Sequence, residues 1–291
     1  MMSYFAHLPD RTVIAVRGED RVKFLQGLVS NDVTTVEPGA AAWAALLTPQ
    51  GRWKADFFIF ADPDEPCLLL DCESSQSAML METLSKFRLR SDVNLQETQL
   101  VVHAAWGALP DVATVENAIV APDPRLPTAG WRLLMLEPSP VAKADAVAYD
   151  LHRLVLGLPD GDRDCEPEKT LLLEANFDLL NGVSWSKGCY MGQELTARTH
   201  YRGLVKRRLV PVASEVPLPE PGTPIMADGS EVGHIRSSHD HCGLAFLRPA
   251  ALEQHLEANG HRIVPRVPGW LAIALAEEKK GGAVTQGGAA T

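Results

Sequence analysis

Residues 187–203 read Lys187-Gly188-Cys189-Tyr190-Met191-Gly192-Gln193-Glu194-Leu195-Thr196-Ala197-Arg198-Thr199-His200-Tyr201-Arg202-Gly203. A lone cysteine, a carboxylate, glycines and cations share this run, a mixture that no amphipathic core pattern requires. Gly188 and Gly192 allow turns on either side of Cys189, and Gln193 to Tyr201 reads as a short helix with Gly203 as its stop. Cys189 then precedes a helix N-terminus, with Lys187 two residues upstream, and both features favour a thiolate. On the helix, Glu194 and Arg198 are i and i+4 in the favourable acid-first order, and Arg202 continues that face. The residues alone leave two readings open: a reactive thiol on an organised charged face, or a small buried hydrophobe beside a solvated one.

Working outward, the 291 residues exceed the usual size of one core and predict two or three domains. A content of 46% hydrophobic and 22% charged residues belongs to a globular chain, and the net charge of −10 argues against broad nucleic-acid coating or anionic-membrane binding. The five cysteines are odd in number and scattered without a C-x-x-C pair, which fits free thiols in a reducing compartment. Any metal cluster at Cys189 therefore needs ligands from another chain or a small thiol. The N-terminal residues form neither a signal peptide nor an Arg-rich presequence, so the expected location is cytoplasmic.

Thr12 to Val16 alternates as a strand, and residues 21–29 carry apolar positions at helical spacing. Ala41 to Leu47, the turn Thr48-Pro49-Gln50-Gly51 and residues 52–61 read as a hairpin. Pro66 to Asp71 is a buried strand; Ser74 or Ser75 then caps a helix whose packed side holds Met79, Leu80, Thr83, Leu84 and Phe87. A further helix spans about Ala142 to Leu156 and ends at Gly157. Asp160-Gly161-Asp162-Arg163-Asp164 lacks EF-hand spacing and reads as a polar loop. Glu174 stands inside the apolar run Leu171 to Leu180, where burial demands a donor partner: either a ligand such as a pterin edge or a nearby Arg such as Arg198. Lys206-Arg207-Arg208 open a strand as a local cationic group. The Gly- and Pro-rich short strands from Pro217 to about Leu275 imply a small antiparallel barrel. His234, His239 and His241 near Cys242 read as loop residues, and 276–291 as a disordered tail.

The run 187–203 resembles the signature of the YgfZ family, folate-binding relatives of the glycine-cleavage T-protein associated with iron-sulfur cluster assembly. That signature is K-G-C-Y/F-x-G-Q-E with an Arg four residues after the Glu, matched here by Lys187, Gly188, Cys189, Tyr190, Gly192, Gln193, Glu194 and Arg198. Gly18 to Asp32 is similar to the family opening G-x-D/E-x-x-x-F-L-Q-G-x-x-S/T-N-D, and Leu171 to Ala175 to its L-x-x-E-A segment. The hairpin departs from the T-protein, whose adjacent Asp pair is replaced by Ala55-Asp56. The resemblance implies an α+β fold: a three-domain T-protein-like ring around a central folate-sized cavity. Its domains would be a discontinuous α+β unit (1–41 and 139–205), an α+β unit (42–138) and a barrel (206–275).

It further implies an accessory factor for assembly or repair of iron-sulfur clusters, of the 4Fe-4S kind, in client enzymes that include tRNA-modifying radical enzymes. Tetrahydrofolate, or a derivative, and a transient cluster are the implied cofactors; client enzymes or other cluster-assembly proteins are the implied partners. Cys189 is the implied reactive thiol, a transient cluster ligand or a sulfur-exchanging group, with Lys187 beside it. Glu174 would hold the pterin and Asp56 face the folate. Arg198 and Arg202 would orient Glu194 or the folate glutamate, with Gln193 in the same site. The alternatives are a tetrahydrofolate-dependent aminomethyl or one-carbon transferase and a folate-gated scaffold without chemistry.

Overall fold

The computed structural model describes residues 3–108, 118–137 and 144–286. The hairpin strands β3 (Ala41–Leu47) and β4 (Trp53–Ala61) are apolar at nearly every position because the sheet they open is covered on both faces. With β2 (Arg11–Arg17), β5 (Cys67–Glu73) and β6 (Asn94–Glu97) they form a five-stranded antiparallel sheet in the order β3-β4-β5-β2-β6. One face, including Ala44, Leu46, Phe57, Ile59 and Leu70, packs under the helices α1 (Arg21–Gln26) and α2 (Ser74–Arg88). The other face, including Trp43, Ala45, Phe58, Phe60 and Leu69, meets a second sheet. That sheet has the order β1-β7-β9-β8, from Ser3–His7, Val101–Gly107, Trp131–Met135 and Ile119–Pro122.

The domain boundary expected at residue 41 does not follow the hydrogen bonding. β1 pairs with β7 in one sheet while β2 lies between β5 and β6 in the other. The reason is visible in β2 itself, where Val13, Ile14, Ala15 and Val16 are all fully buried, so apolar side chains on both faces require a central position. Helix α2 also starts differently from expectation. Glu73 occupies the cap position without a side-chain bond, and the packed face is Gln76, Ser77, Leu80, Thr83 and Leu84, which leaves Phe87 39% exposed.

Helix α3 (Ala146–Leu156) is capped by Asp145, whose side chain accepts from the Ala148 N–H, and ends at Gly157 in the left-handed region. Of the earlier start expected at Ala142, residues 142–143 lie outside the described residues. The acidic run after it is not a polar surface loop: it forms a one-turn helix, α4 (Gly161–Asp164), with Asp164 and Cys165 fully buried. The chain closes with a six-stranded antiparallel barrel, β10 to β15, in the order β10-β13-β12-β11-β14-β15. Its strands are Arg208–Ala213, Pro224–Ala227, Ser230–His239, Cys242–Leu247, Leu256–Ala258 and His261–Pro265. His234 and His239 are thus strand residues. Helix α6 (Gly269–Gln286) buries Leu271 and Leu275 in the barrel core, and the Trp270 indole N–H donates to Leu156 O at 3.0 Å. The disordered tail expected from 276 is corrected as far as 286, because the Leu- and Ala-rich start, anchored in the barrel, propagates the helix. Residues 287–291 lie outside the described residues.

Candidate functional site

Helix α5 spans Gln193–Tyr201, and Gly203 takes a φ of +59° just beyond it. Cys189 is exposed on the loop that leads into this helix. The loop is set down on the β3–β4 hairpin by two glycines in contact. A Cβ added at Gly192 (φ +79°) would lie 2.5 Å from Thr48 O, and one added at Gly51 (φ +79°) would lie 2.6 Å from Gly192 O. No side chain fits between them, so the signature and the hairpin tip are read as one surface.

The underside of the loop is fixed by the opening segment after α1. Lys187 is only 9% exposed, and its ammonium donates to Val29 O at 2.8 Å and Asn31 O at 2.6 Å while lying over the Tyr190 ring. Burial pulls its pKa down to about 8. Its hydrogen bonds therefore serve the loop, a use that differs from the thiolate-stabilising one expected. The Asn31 side chain donates to Trp43 O (2.8 Å) and Asn181 O (2.7 Å), and the Ser30 hydroxyl donates to Gly182 O (2.6 Å). Met191 N–H donates to Gly27 O at 3.0 Å. Gln193 is half-buried, while Glu194 and Arg198 are exposed, as is Arg202, and no ion pair joins these three among the described residues. The i, i+4 pair expected on α5 is accordingly not formed.

Asp56 lies in the core between the two sheets, 6% exposed. The Trp43 indole donates to one carboxylate oxygen at 2.8 Å and the Trp53 indole to the other at 3.1 Å. Burial raises its pKa to about 6, against the pull of the Trp43 bond. Trp43 is itself stacked on Phe177 with centroids 3.9 Å apart. Both oxygens thus already have donors, and the expectation that Asp56 faces a folate does not match this setting.

Glu174 is the other embedded carboxylate, and it does border a cavity. The space measures about 300 Å³ and is lined by Glu174, Lys206, Arg207, Glu231, His234 and Arg248, among others. Arg207 Nε donates to one Glu174 oxygen at 3.0 Å and its guanidinium lies over the Phe246 ring. The Arg that reaches Glu174 is therefore Arg207 and not Arg198, the example named for the alternative to a ligand. Arg208 is buried on Asp178 at 2.8 and 3.0 Å, so of the three cations opening β10 only Lys206 is exposed. His234 Nε2 is buried at this cavity without a hydrogen-bond partner.

Sequence reasoning missed a buried ionic network behind Asp56. Asp71, fully buried, takes Arg11 and Arg132, and Arg132 donates on to Tyr149 Oη at 2.9 Å. Arg125 is bidentate on Asp123 and lies over Phe58, 4.8 Å from the ring centre. Arg153 bonds Asp164 at 2.8 Å and the Ser237 hydroxyl at 2.9 Å, tying α3 and α4 to the barrel. The available signal was a cation inside an apolar strand, Trp131-Arg132-Leu133-Leu134, since a buried Arg requires an acidic partner.

Residues 206–273 match the family model described as the CAF17 C-terminal beta-barrel domain. The chain is 34% identical to the mouse mitochondrial iron-sulfur cluster assembly factor IBA57, over 92% of this chain and 85% of that protein. It is 36% identical to the human mitochondrial IBA57, over 82% and 76% respectively. The IBA57 homolog of Mycosarcoma maydis, also named mitochondrial, is 40% identical over 72% of this chain and 56% of that one. Among solved structures, the glycine cleavage system aminomethyltransferase T of Bartonella henselae superposes with a TM-score of 0.73, covering 92% of this chain and 86% of that chain. At 14% identity that likeness carries the fold alone, an α+β T-protein-like architecture with a C-terminal antiparallel barrel. The expected cytoplasmic location is overturned by relatives named mitochondrial, and the relatives found are IBA57 proteins where the YgfZ family was expected. By identity and coverage, this chain belongs to the IBA57 family of iron-sulfur cluster assembly factors.

Proposed function

We propose that this chain assembles or repairs iron-sulfur clusters, of the 4Fe-4S kind, on client enzymes, and that Cys189 is the thiol that meets the cluster or its sulfur. The carrying observation is the contrast in access: Cys189 is exposed on a loop clamped from below, whereas Asp56 is enclosed by two indole donors. A cluster is too large to approach a buried thiol, and it needs ligands from both donor and recipient during exchange. An exposed cysteine on a rigid support meets that need. The other cysteines are poorer candidates: Cys67, Cys72 and Cys165 are buried, Cys242 is half-buried in a barrel strand, and burial pushes Cys72 up to about 12.

Folate is assigned to the Glu174 cavity. The second Glu174 oxygen is left for a pterin amino edge, and Lys206 and Arg248 supply positive charge for carboxylates. The chemistry folate supplies when bound is a one-carbon carrier or an ordering ligand. Gln193, Glu194, Arg198 and Arg202 belong to the Cys189 face in this reading and not to the folate. Partners are client enzymes, tRNA-modifying radical enzymes among them, and other cluster-assembly proteins. A transferase would require Asp56 to touch substrate, and its enclosed setting disfavours that.

The test is complementation. Cells lacking this chain are re-supplied with wild type, Cys189→Ala or Asp56→Ala, and a four-iron enzyme is followed through the thiomethylation level of tRNA. Rescue by wild type but not by folded Cys189→Ala is expected. Full rescue by Cys189→Ala would remove the thiol from the mechanism and bring the scaffold forward; failure of a folded Asp56→Ala protein alone would revive the transferase.

A further inference from the structure

The segments on either side of Cys189, Trp185 before it and the end of α5 after it, expose an aromatic stack. The Trp185 and His200 rings lie 3.9 Å apart at 20°, and Tyr201 packs edge-on to both, 6.2 Å and 5.1 Å away. Trp185 is 38% exposed, Tyr201 73% and the following Leu204 48%. Neither core nor helix formation accounts for this, because the buried residues of α5 are Thr196 and Thr199, on its other side. Beside Trp185 the surface sinks into a groove of about 670 Å³, lined by Asn31, Asp32, Pro124, Asn181, Ser184 and Trp185 among others. On and just after the helix that carries His200 and Tyr201 stand Arg198 and Arg202, both exposed and without an ion pair among the described residues. Glu194 is the one carboxylate of residues 185–203 and the half-buried Asp32 borders the groove, although the chain as a whole carries a charge of −10.

We infer that the Trp185–His200–Tyr201 stack is the docking platform for one kind of partner: an acidic protein surface that brings its own cysteine ligands to Cys189. The inference rests on the proposed cluster role for the identity of the partner, but not for the existence of the platform. Trp, Tyr and Arg dominate binding energy at protein interfaces, and ordered, exposed rings offer apolar area at little further entropy cost. The cations select an acidic face and speed its encounter. A nucleic acid would also stack on rings, but the net charge of −10 repels a polyanion and two cations form a small footprint. In this arrangement the rings hold the partner and the thiol does the exchange, so affinity and transfer are separable.

The experiment uses the full chain. Tyr201→p-benzoylphenylalanine is irradiated in an extract of its own cells, with Ile273→p-benzoylphenylalanine on exposed α6 as control. The expected product from position 201 alone is an acidic protein with cysteine cluster ligands. That protein is then purified in its cluster-free form and titrated against the variants. Tyr201→Ser and Trp185→Ser should each weaken binding at least about 10-fold, Tyr201→Phe should retain it, and added salt should weaken the wild type. Cys189→Ser should bind the cluster-free partner as wild type does yet fail to pass on a cluster. Unchanged affinity in both ring variants, or cross-linking confined to non-acidic proteins, overturns the platform; so does tighter binding of single-stranded RNA that Tyr201→Ser abolishes. If instead Cys189→Ser still transfers a cluster while the ring variants lose affinity, the thiol reading falls and the platform stands.

Discussion

The two carboxyl-bearing and thiol-bearing centres of this molecule are built in opposite ways. Around Asp56 the charged groups are paired from inside: two indoles on its oxygens, with Arg11, Arg125 and Arg132 anchored on Asp71 and Asp123 behind it. Around Cys189 only the lower side is matched, by Lys187, Asn31 and the paired glycines, while thiol, rings and cations face outward. The fold shared with an aminomethyltransferase thus holds, in this chain, an enclosed carboxylate and an exposed thiol. In the function proposed above, the T-protein-like interior is a structural keystone and the chemistry lies at the rim.

The largest effect should come from the interior. Asp71→Ala leaves the buried Arg11 and Arg132 without their common carboxylate, and breaking such a pair costs about 3–5 kcal/mol. A urea midpoint lowered by that amount, or failure to fold, is the expected outcome. A loss below about 1 kcal/mol would mean the network is hydrated in solution and the interior less enclosed than described.

Next comes the seam between the hairpin and the signature. Gly192→Ala puts a Cβ 2.5 Å from a backbone oxygen at a φ of +79°, and strain plus displacement should destabilise by about 3 kcal/mol. Gly51→Ala should behave alike. In the double variant the losses should be far from additive, because the first already parts the two loops. Additive losses would show that the signature loop does not depend on the hairpin for its position.

These two regions also differ in how far the sequence exposed them. The hairpin, α5 and its Gly203 stop are local features, set by spacing and turn chemistry, and Ala41–Leu47 and Gln193–Tyr201 emerge with the bounds expected. Cys189 could be singled out because the mixture of residue types around it fits no amphipathic core pattern, although Lys187, Tyr190 and Gly192 prove to be packed. Pairings between distant residues left no such trace. Arg11 with Asp71, or Arg153 with Ser237, are separated by tens of residues, and an acidic run such as 160–164 looks the same whether it is solvated or buried among arginines. The membership of β2 in the five-stranded sheet is likewise a long-range choice, signalled only by its being apolar on both faces.

A milder test separates the centres by pH. Asp56 has its folded pKa raised from 3.8 to about 6 by burial, so the native state holds a proton that the unfolded chain has released in this window. Stability should therefore fall as pH rises from about 4 to about 6, by up to roughly 1.4 kcal/mol per unit from this group, and level off above. Other carboxylates add their own slopes, so the quantity to read is wild type minus Asp56→Asn. That difference should carry the falling slope, on top of a constant offset for the indole donor that Asn cannot satisfy. A flat difference would place water at Asp56 and weaken the case for an enclosed interior.

The smallest expected effect on stability is the most informative about function. Gly188 and Gly192 flank the same cysteine, yet a Cβ at Gly188 meets nothing within 4 Å and its φ is not in the left-handed region. Gly188→Ala should shift the urea midpoint by no more than about 0.5 kcal/mol, the range of an ordinary surface change. If cluster transfer is also unchanged, the glycine is incidental and the thiol is approached from another side. If transfer falls at least about tenfold while stability holds, the missing methyl is space used by the approaching partner, since no atom of the described residues beyond its chain neighbours lies within 4 Å of it. That outcome would locate the approach of the partner to within one residue of Cys189, on the open side that the rings and cations border.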